Sequence, residues 1–164
     1  MHRNPRSTAD AFQSVRLIHL AFMAAVALYI LLAFQMSFVI EDRDPRLTGT
    51  ALWLLRGALG ALAVAGQITV SYVLARPHRS RNQRQISEGD ESALLAAVNS
   101  RAILRLAFTE AIGIYGLLLF LAGGYLLDVL GFSAAALVLL ALRFPTRDSW
   151  SREIERLRRD AARQ

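Results

Sequence analysis

The sequence contains no cysteine, which excludes disulfides, a thiolate nucleophile and any cysteine-ligated metal. It also contains no lysine: all 19 basic residues are arginine, a usage typical of GC-rich genomes that carries no chemistry of its own. The three histidines, His2, His19 and His78, are scattered and show no metal-ligand spacing. No nucleophile elbow, phosphate-binding glycine loop or zinc motif is present. With these classes removed, no enzymatic activity, cofactor or metal site is expected.

What the chain does have is apolar length. Hydrophobic residues make up 54% of it and the mean hydropathy is +0.35, more apolar than an ordinary soluble domain. They cluster in four blocks, residues 17–40, 51–75, 102–122 and 125–142. A membrane-spanning helix needs about 20 such residues. The first three blocks meet that length and the fourth is near the short limit. The first block far exceeds the ~7–15 residues of a signal-peptide core and no small-x-small cleavage site follows it, so it reads as a retained helix. The expected fold is all-α, an integral membrane four-helix bundle made of two repeated helical hairpins. Its divisions are an N-terminal tail (1–16), a first transmembrane hairpin (17–75), a basic and acidic loop (76–101), a second transmembrane hairpin (102–143) and an amphipathic basic C-terminal helix (144–164).

Arginine placement predicts the orientation. The N-terminal tail, the middle segment and the C-terminal tail together hold 15 arginines, whereas the other two loops hold only Arg43 and Arg46. Cytoplasmic loops carry the excess of basic residues, so both termini and the middle segment are expected inside. The net charge of +6 then points to anionic lipid head groups as partners and not to nucleic acid. In the middle segment, residues 78–85 are basic, while Glu88, Asp90 and Glu91 are acidic. Ser87 and Asp90 are candidate caps for a third helix that starts near Glu91 and runs on into the membrane. In the C-terminal tail, Trp150, Ile154, Leu157 and Ala161 share one helical face. Such a helix lies on the inner leaflet, with Trp150 as anchor and Arg152, Arg156 and Arg159 toward the lipid surface, or it packs as a solvated helix on the middle segment.

An internal repeat links the halves. Between residues 20–34 and 106–120, eight of 15 positions are identical at an offset of 86, among them Tyr29 with Tyr115. The hairpins therefore form a parallel repeat. Glu110 breaks the symmetry, because its counterpart is Ala24.

Glu110 is the chemically distinctive residue. A carboxyl inside a spanning helix costs roughly 2.5–3.5 kcal/mol or more, so its default reading is functional. Low dielectric disfavours the ionised form, which makes Glu110 a candidate proton carrier; the alternative is a neutral acid acting as interhelical glue. Counting inward at ~1.5 Å per residue, Gln67 on the second helix and Glu110 on the third both lie about 12 Å from the cytoplasmic side, so Gln67 is a candidate partner, with Tyr115 nearby in sequence. Arg105 is expected to snorkel toward head groups. Arg56 and Asp128, near the outer ends of their helices, either pair or snorkel independently. Gly57, Ala61 and Ala65 form a small-xxx-small seam and Gly113 and Gly116 allow close approach on the third helix. These serve packing of helices two and three or, alternatively, an oligomer interface.

The string Glu110, Gly113, Ile114, Tyr115, Gly116, Leu117 resembles the carboxylate helix of the proteolipid, or c-ring, subunits of rotary ATPases, the vacuolar type especially. In that family the carboxylate binds and releases the transported proton or sodium ion, and its helix follows a cytoplasmic loop and a small-residue helix. Helices one and four flank this hairpin here, and both termini are expected inside, where proteolipid subunits have both outside. The whole chain is also similar to uncharacterised bacterial four-helix membrane proteins with an acidic third helix and a Phe-Pro after the fourth (Phe144-Pro145), which implies a bacterial inner membrane. The expected function is that of a small non-enzymatic inner-membrane protein with a protonatable glutamate, proton-linked and distantly like a c subunit. The alternative is a scaffold or assembly factor in which Glu110 is structural. A homo-oligomer or a membrane-protein partner is compatible with either.

Overall fold

In the computed structural model the described residues are 8–40, 47–75 and 90–162. They form five helices: α1 (Thr8–Ile40), α2 (Gly49–Ala75), α3 (Glu91–Gly123), α4 (Leu126–Leu142) and α5 (Arg147–Ala162). Most of the charged middle segment, including Ser87, and the arginines at 3, 6, 43, 46 and 163 lie outside the described residues.

The ends of α3 follow from local chemistry. The first amides of a helix have no intrahelical partner, and Asp90 supplies one: its Oδ1 accepts from the Ser92 and Ala93 N–H groups at 2.9 and 3.3 Å and from the Ser92 hydroxyl at 2.7 Å. The hydroxyl bond foremost, and then the amide bonds, hold the Asp90 carboxyl below its ordinary value. At the other end Gly124 adopts φ 75°, a left-handed conformation that glycine takes without steric cost, and its N–H donates to the Phe120 carbonyl at 2.7 Å. Only Gly124 and Tyr125 separate α3 from α4, so these two helices form a tight antiparallel pair.

Helix α3 is the axle of the fold and packs on all four others, whereas α1 and α2 make no substantial contact with each other. Missing side chains let its neighbours approach. A Cβ at Gly116 would stand 2.7 Å from the Phe132 Cβ and 3.1 Å from the Val129 backbone on α4. One at Gly113 would meet Val26 and Tyr29 of α1 at 3.4 Å, and one at Gly123 would meet Leu52 of α2 at 2.8 Å. The central core is Val26, Leu106, Ile112, Ala136 and Leu140; a smaller cluster of Ala33, Phe120 and Val129 lies toward the α3–α4 turn.

This arrangement refines the expected hairpin repeat. The second hairpin is closed, but the first is open, because α3 occupies the place between α1 and α2 that a direct pairing would need. Two hairpins alike in sequence therefore pack differently.

A third cluster decides between the two expectations for the C-terminal helix, in favour of packing on the middle segment. Trp150 and Leu157 of α5 are buried against Ala11 and Val15 of α1 and Leu94, Leu95 and Val98 of α3, and the Trp150 ring lies 6.0 Å from that of Phe12. Trp150 is only 7% exposed, so its ring is spent on protein contacts. The apolar face of α5 has found a protein partner: α3 and α1 extend past their apolar blocks and offer it a hydrophobic surface.

Helices α1, α2 and α3 are long and apolar enough to cross a membrane; α4 reaches that standard only when joined to α5, across a 74° bend. Large apolar side chains such as Leu17, Leu54, Leu62, Leu127 and Val138 point outward from the bundle, which in water would be an unusually large exposed apolar surface.

Candidate functional site

Glu110 lies on α3, half-buried at the seam with α1. The Tyr29 hydroxyl donates to Glu110 Oε1 at 2.6 Å, a length typical of strong O–H···O bonds to a carboxyl group. Gly113, one turn on, is what allows α1 to come this close, since Tyr29 and Val26 cover the space a side chain there would fill. The second oxygen, Oε2, has no hydrogen-bond partner among the described residues. The phenol thus holds one oxygen of the carboxyl in place.

The expected Glu110–Gln67 pair is not formed. Gln67 Nε2 donates to the Phe108 carbonyl at 3.1 Å and lies 3.5 Å from Thr109 Oγ1, while its Oε1 accepts from Arg143 at 2.8 Å. Depth along two helices was matched correctly, but azimuth was not: Gln67 faces the α4 side of α3, and Glu110 faces α1. Tyr115 is half-buried and its hydroxyl has no partner among the described residues. Under the 86-residue offset the counterpart of Tyr29–Glu110 is Tyr115 with Ala24, and alanine offers no acceptor.

A second polar group surrounds Thr109, which is fully buried. Its hydroxyl donates to the Arg105 carbonyl at 2.8 Å and accepts from Arg143 at 3.1 Å. Toward α5, Arg101 and Arg105 share Glu153, at 3.5 and 4.0 Å, and the Arg105 side chain stays 39% exposed. At the opposite end of the bundle Arg56 and Asp128 form a two-pronged ion pair, both contacts at 2.9 Å, with the Arg56 guanidinium also over the rings of Trp53 and Tyr125.

His19 is buried, and its Nε2–H donates to the Leu140 carbonyl at 2.9 Å. That carbonyl is among the last four of α4, where regular helical partners run out; it also accepts from the Arg143 N–H at 3.1 Å, so a side chain from α1 adds to the backbone cap of α4.

The small-residue seam on α2 requires a correction. Gly57, Ala61 and Ala65 all face away from the bundle, and nothing lies within 4 Å of a Cβ built on Gly57. Intramolecular packing of α2 uses another face, Leu52, Gly66 and Val70, with Phe108 of α3 set 3.2 Å from the Gly66 position. Gly113 and Gly116, in contrast, stand at helix contacts. Arg152, Arg156 and Arg159 are exposed on α5.

Four residues of these groups escaped sequence reasoning: Tyr29, His19, Thr109 and Arg143. Tyr29 carried a signal, its repeat match to Tyr115. The others had none, because each acts on a helix remote in sequence. Among the described residues no cluster of His, Asp and Glu could hold a metal ion. No family model, curated protein or solved structure matches the chain.

Proposed function

We propose that this is a small, non-enzymatic, multi-pass protein of a bacterial inner membrane that binds and releases a proton at Glu110. The arginine distribution puts both termini, the middle segment and α5 in the cytoplasm. The observation that carries the reading is the half-buried Glu110 carboxyl, held at one oxygen by Tyr29 and without a partner at the other among the described residues. A proton is the simplest neutraliser of a carboxyl among apolar helices, and the local resemblance to proteolipid subunits points the same way. Gln67 does not belong to this site.

The test is labelling with a hydrophobic carbodiimide, which reacts with protonated carboxyls. Labelling should map to Glu110, decline as pH is raised, and vanish in Glu110→Gln. Resistance to labelling from mildly acid to mildly alkaline pH would leave Glu110 as interhelical glue. Native mass spectrometry then separates a many-copy ring, which would use the outward Gly57, Ala61 and Ala65 seam, from a monomer.

A second reading, a scaffold, is favoured by one observation: α5 spends its apolar face on the bundle and leaves Arg152, Arg156 and Arg159 outward. Reversing those three charges should abolish partner capture from membranes under this reading. Unchanged capture would sink it.

A further inference from the structure

Helices α2 and α4 both lean on α3 but do not close on each other beyond the Arg56–Asp128 pair. Between them is a groove of about 570 Å³, open to the side and floored by Ile112 of α3. Its walls are almost wholly apolar, with Gly60 and Val64 on one side and Gly131, Phe132 and Ala135 on the other. That volume lies within the range of small-molecule sites, ~300–1,000 Å³. Along α4 the lining runs from Leu127 to Leu139, about 18 Å at ~1.5 Å per residue, more than half of a hydrocarbon core of about 30 Å.

The two ends of the groove differ in charge. At one, Arg56 and Asp128 neutralise each other. Toward the other, Gln67 lines the groove and holds Arg143 at 2.8 Å. The hydrogen bonds of Arg143 go to neutral oxygens, those of Gln67 and Thr109, and it has no ion pair among the described residues. Arg105 is its neighbour through Thr109, whose hydroxyl accepts from Arg143 at 3.1 Å and donates to the Arg105 carbonyl at 2.8 Å. Two guanidinium groups thus stand together with one carboxylate, Glu153, which Arg105 reaches at 4.0 Å and shares with Arg101.

Helix length places that charge at a useful height. The 17 residues of α4 extend about 25 Å by the same rise, about 5 Å short of the hydrocarbon thickness. A short span is accommodated by local thinning and by snorkelling of flanking residues, which brings lipid phosphates inward to the end of the helix, where Arg143 begins.

We propose that the α2–α4 groove is a site for one anionic phospholipid of the inner leaflet, with an acyl chain along Val64, Phe132 and Ala135 and the phosphate between Arg143 and Arg105. The site rests on the membrane-spanning reading but not on proton binding, since Glu110 is on the α1 side of α3.

The experiment is native mass spectrometry of the detergent-purified full chain titrated with dioleoyl phosphatidylglycerol or, separately, dioleoyl phosphatidylcholine. A single phosphatidylglycerol adduct is expected at concentrations where phosphatidylcholine gives little. Arg143→Gln should weaken it about fivefold, as expected from one basic residue near a lipid surface. Arg143→Lys should keep the preference, and Ala135→Phe, which fills the groove at an exposed position, should remove the adduct while the melting temperature stays unchanged. Glu110→Gln should leave the adduct intact, which separates failure here from failure of the proton reading. Equal binding of both lipids, or an adduct indifferent to both Arg143→Gln and Ala135→Phe, overturns the proposal. So does a dimer that Ala135→Phe dissolves, because the occupant would then be a second copy.

Discussion

Three glycine-to-alanine substitutions grade the packing of this bundle against a single chemical change. At Gly116 the new methyl would sit 2.7 Å from the Phe132 Cβ, 3.1 Å from the Val129 Cα and 3.2 Å from the Asp128 carbonyl. None of these is the far end of a flexible side chain, so the helices must separate. Overpacking of this kind costs about 1–3 kcal/mol, and contact with backbone places Gly116 in the upper half. Against it stands the helix preference for alanine over glycine, about 1 kcal/mol, so Gly116→Ala should lose about 1–2 kcal/mol net. Gly113→Ala meets three side-chain atoms at 3.4 Å, the tight edge of ordinary contact, so a small packing cost offsets part of the same propensity gain and the change should fall between neutral and a gain of about 1 kcal/mol. Gly57→Ala meets nothing within 4 Å and should gain up to about 1 kcal/mol from propensity alone. The assay is reversible unfolding in mixed micelles followed by circular dichroism at two protein concentrations. Gly116→Ala as stable as the parent would refute the close α3–α4 approach. A concentration-dependent loss in Gly57→Ala would refute the isolated-bundle reasoning and put the outward seam in an interface between copies.

Other expectations follow from single contacts. Truncation of buried Trp150 to alanine should cost about 3 kcal/mol or more, and the loss should be local, seen as faster tryptic cleavage at Arg152 and Arg156 while the α3–α4 pair stays protected from hydrogen exchange. The Asp90 carboxyl is held below its unfolded value of 3.8. Its capping contribution is therefore fully present above that pH and is lost as pH falls through the lower folded value; Asp90→Ala should remove this acid dependence from amide protection at residues 92–94. Neutralising Arg56 alone should destabilise the chain, because Asp128 would be left without its cation, and the charge-exchanged pair Arg56→Asp, Asp128→Arg should recover most of the melting temperature. Tyr29→Phe should change the rate of carbodiimide labelling at Glu110, and an unchanged rate would count against the phenol as the group that sets the carboxyl.

How much was readable before any coordinates depends on the distance over which each feature is decided. Helical character, the lengths of the apolar blocks and the odd carboxyl on the third of them are properties of consecutive residues. The Asp90 cap and the Gly124 turn are likewise settled within a few positions, by side-chain reach and by the freedom of glycine at positive φ. Axial depth could also be counted, which is why Gln67 was placed at the right height beside α3. Rotation about the helix axis could not. An apolar helix has no strong polar face to reveal which side meets which neighbour, so the same reasoning put Gln67 with Glu110 when it belongs with Arg143 and Thr109.

The sequence by itself determined the α-helical class, the number and span of apolar segments, and the arginine asymmetry, because each needs only local composition and a fixed rise per residue. Tertiary structure alone decided that α3 is central, that Tyr29 holds Glu110, that α5 docks on protein, and that a groove remains between α2 and α4. Those outcomes depend on how side-chain shapes from distant segments fit, and a missing Cβ at Gly113 or Gly116 affects the fold only through the neighbour that comes to occupy its space.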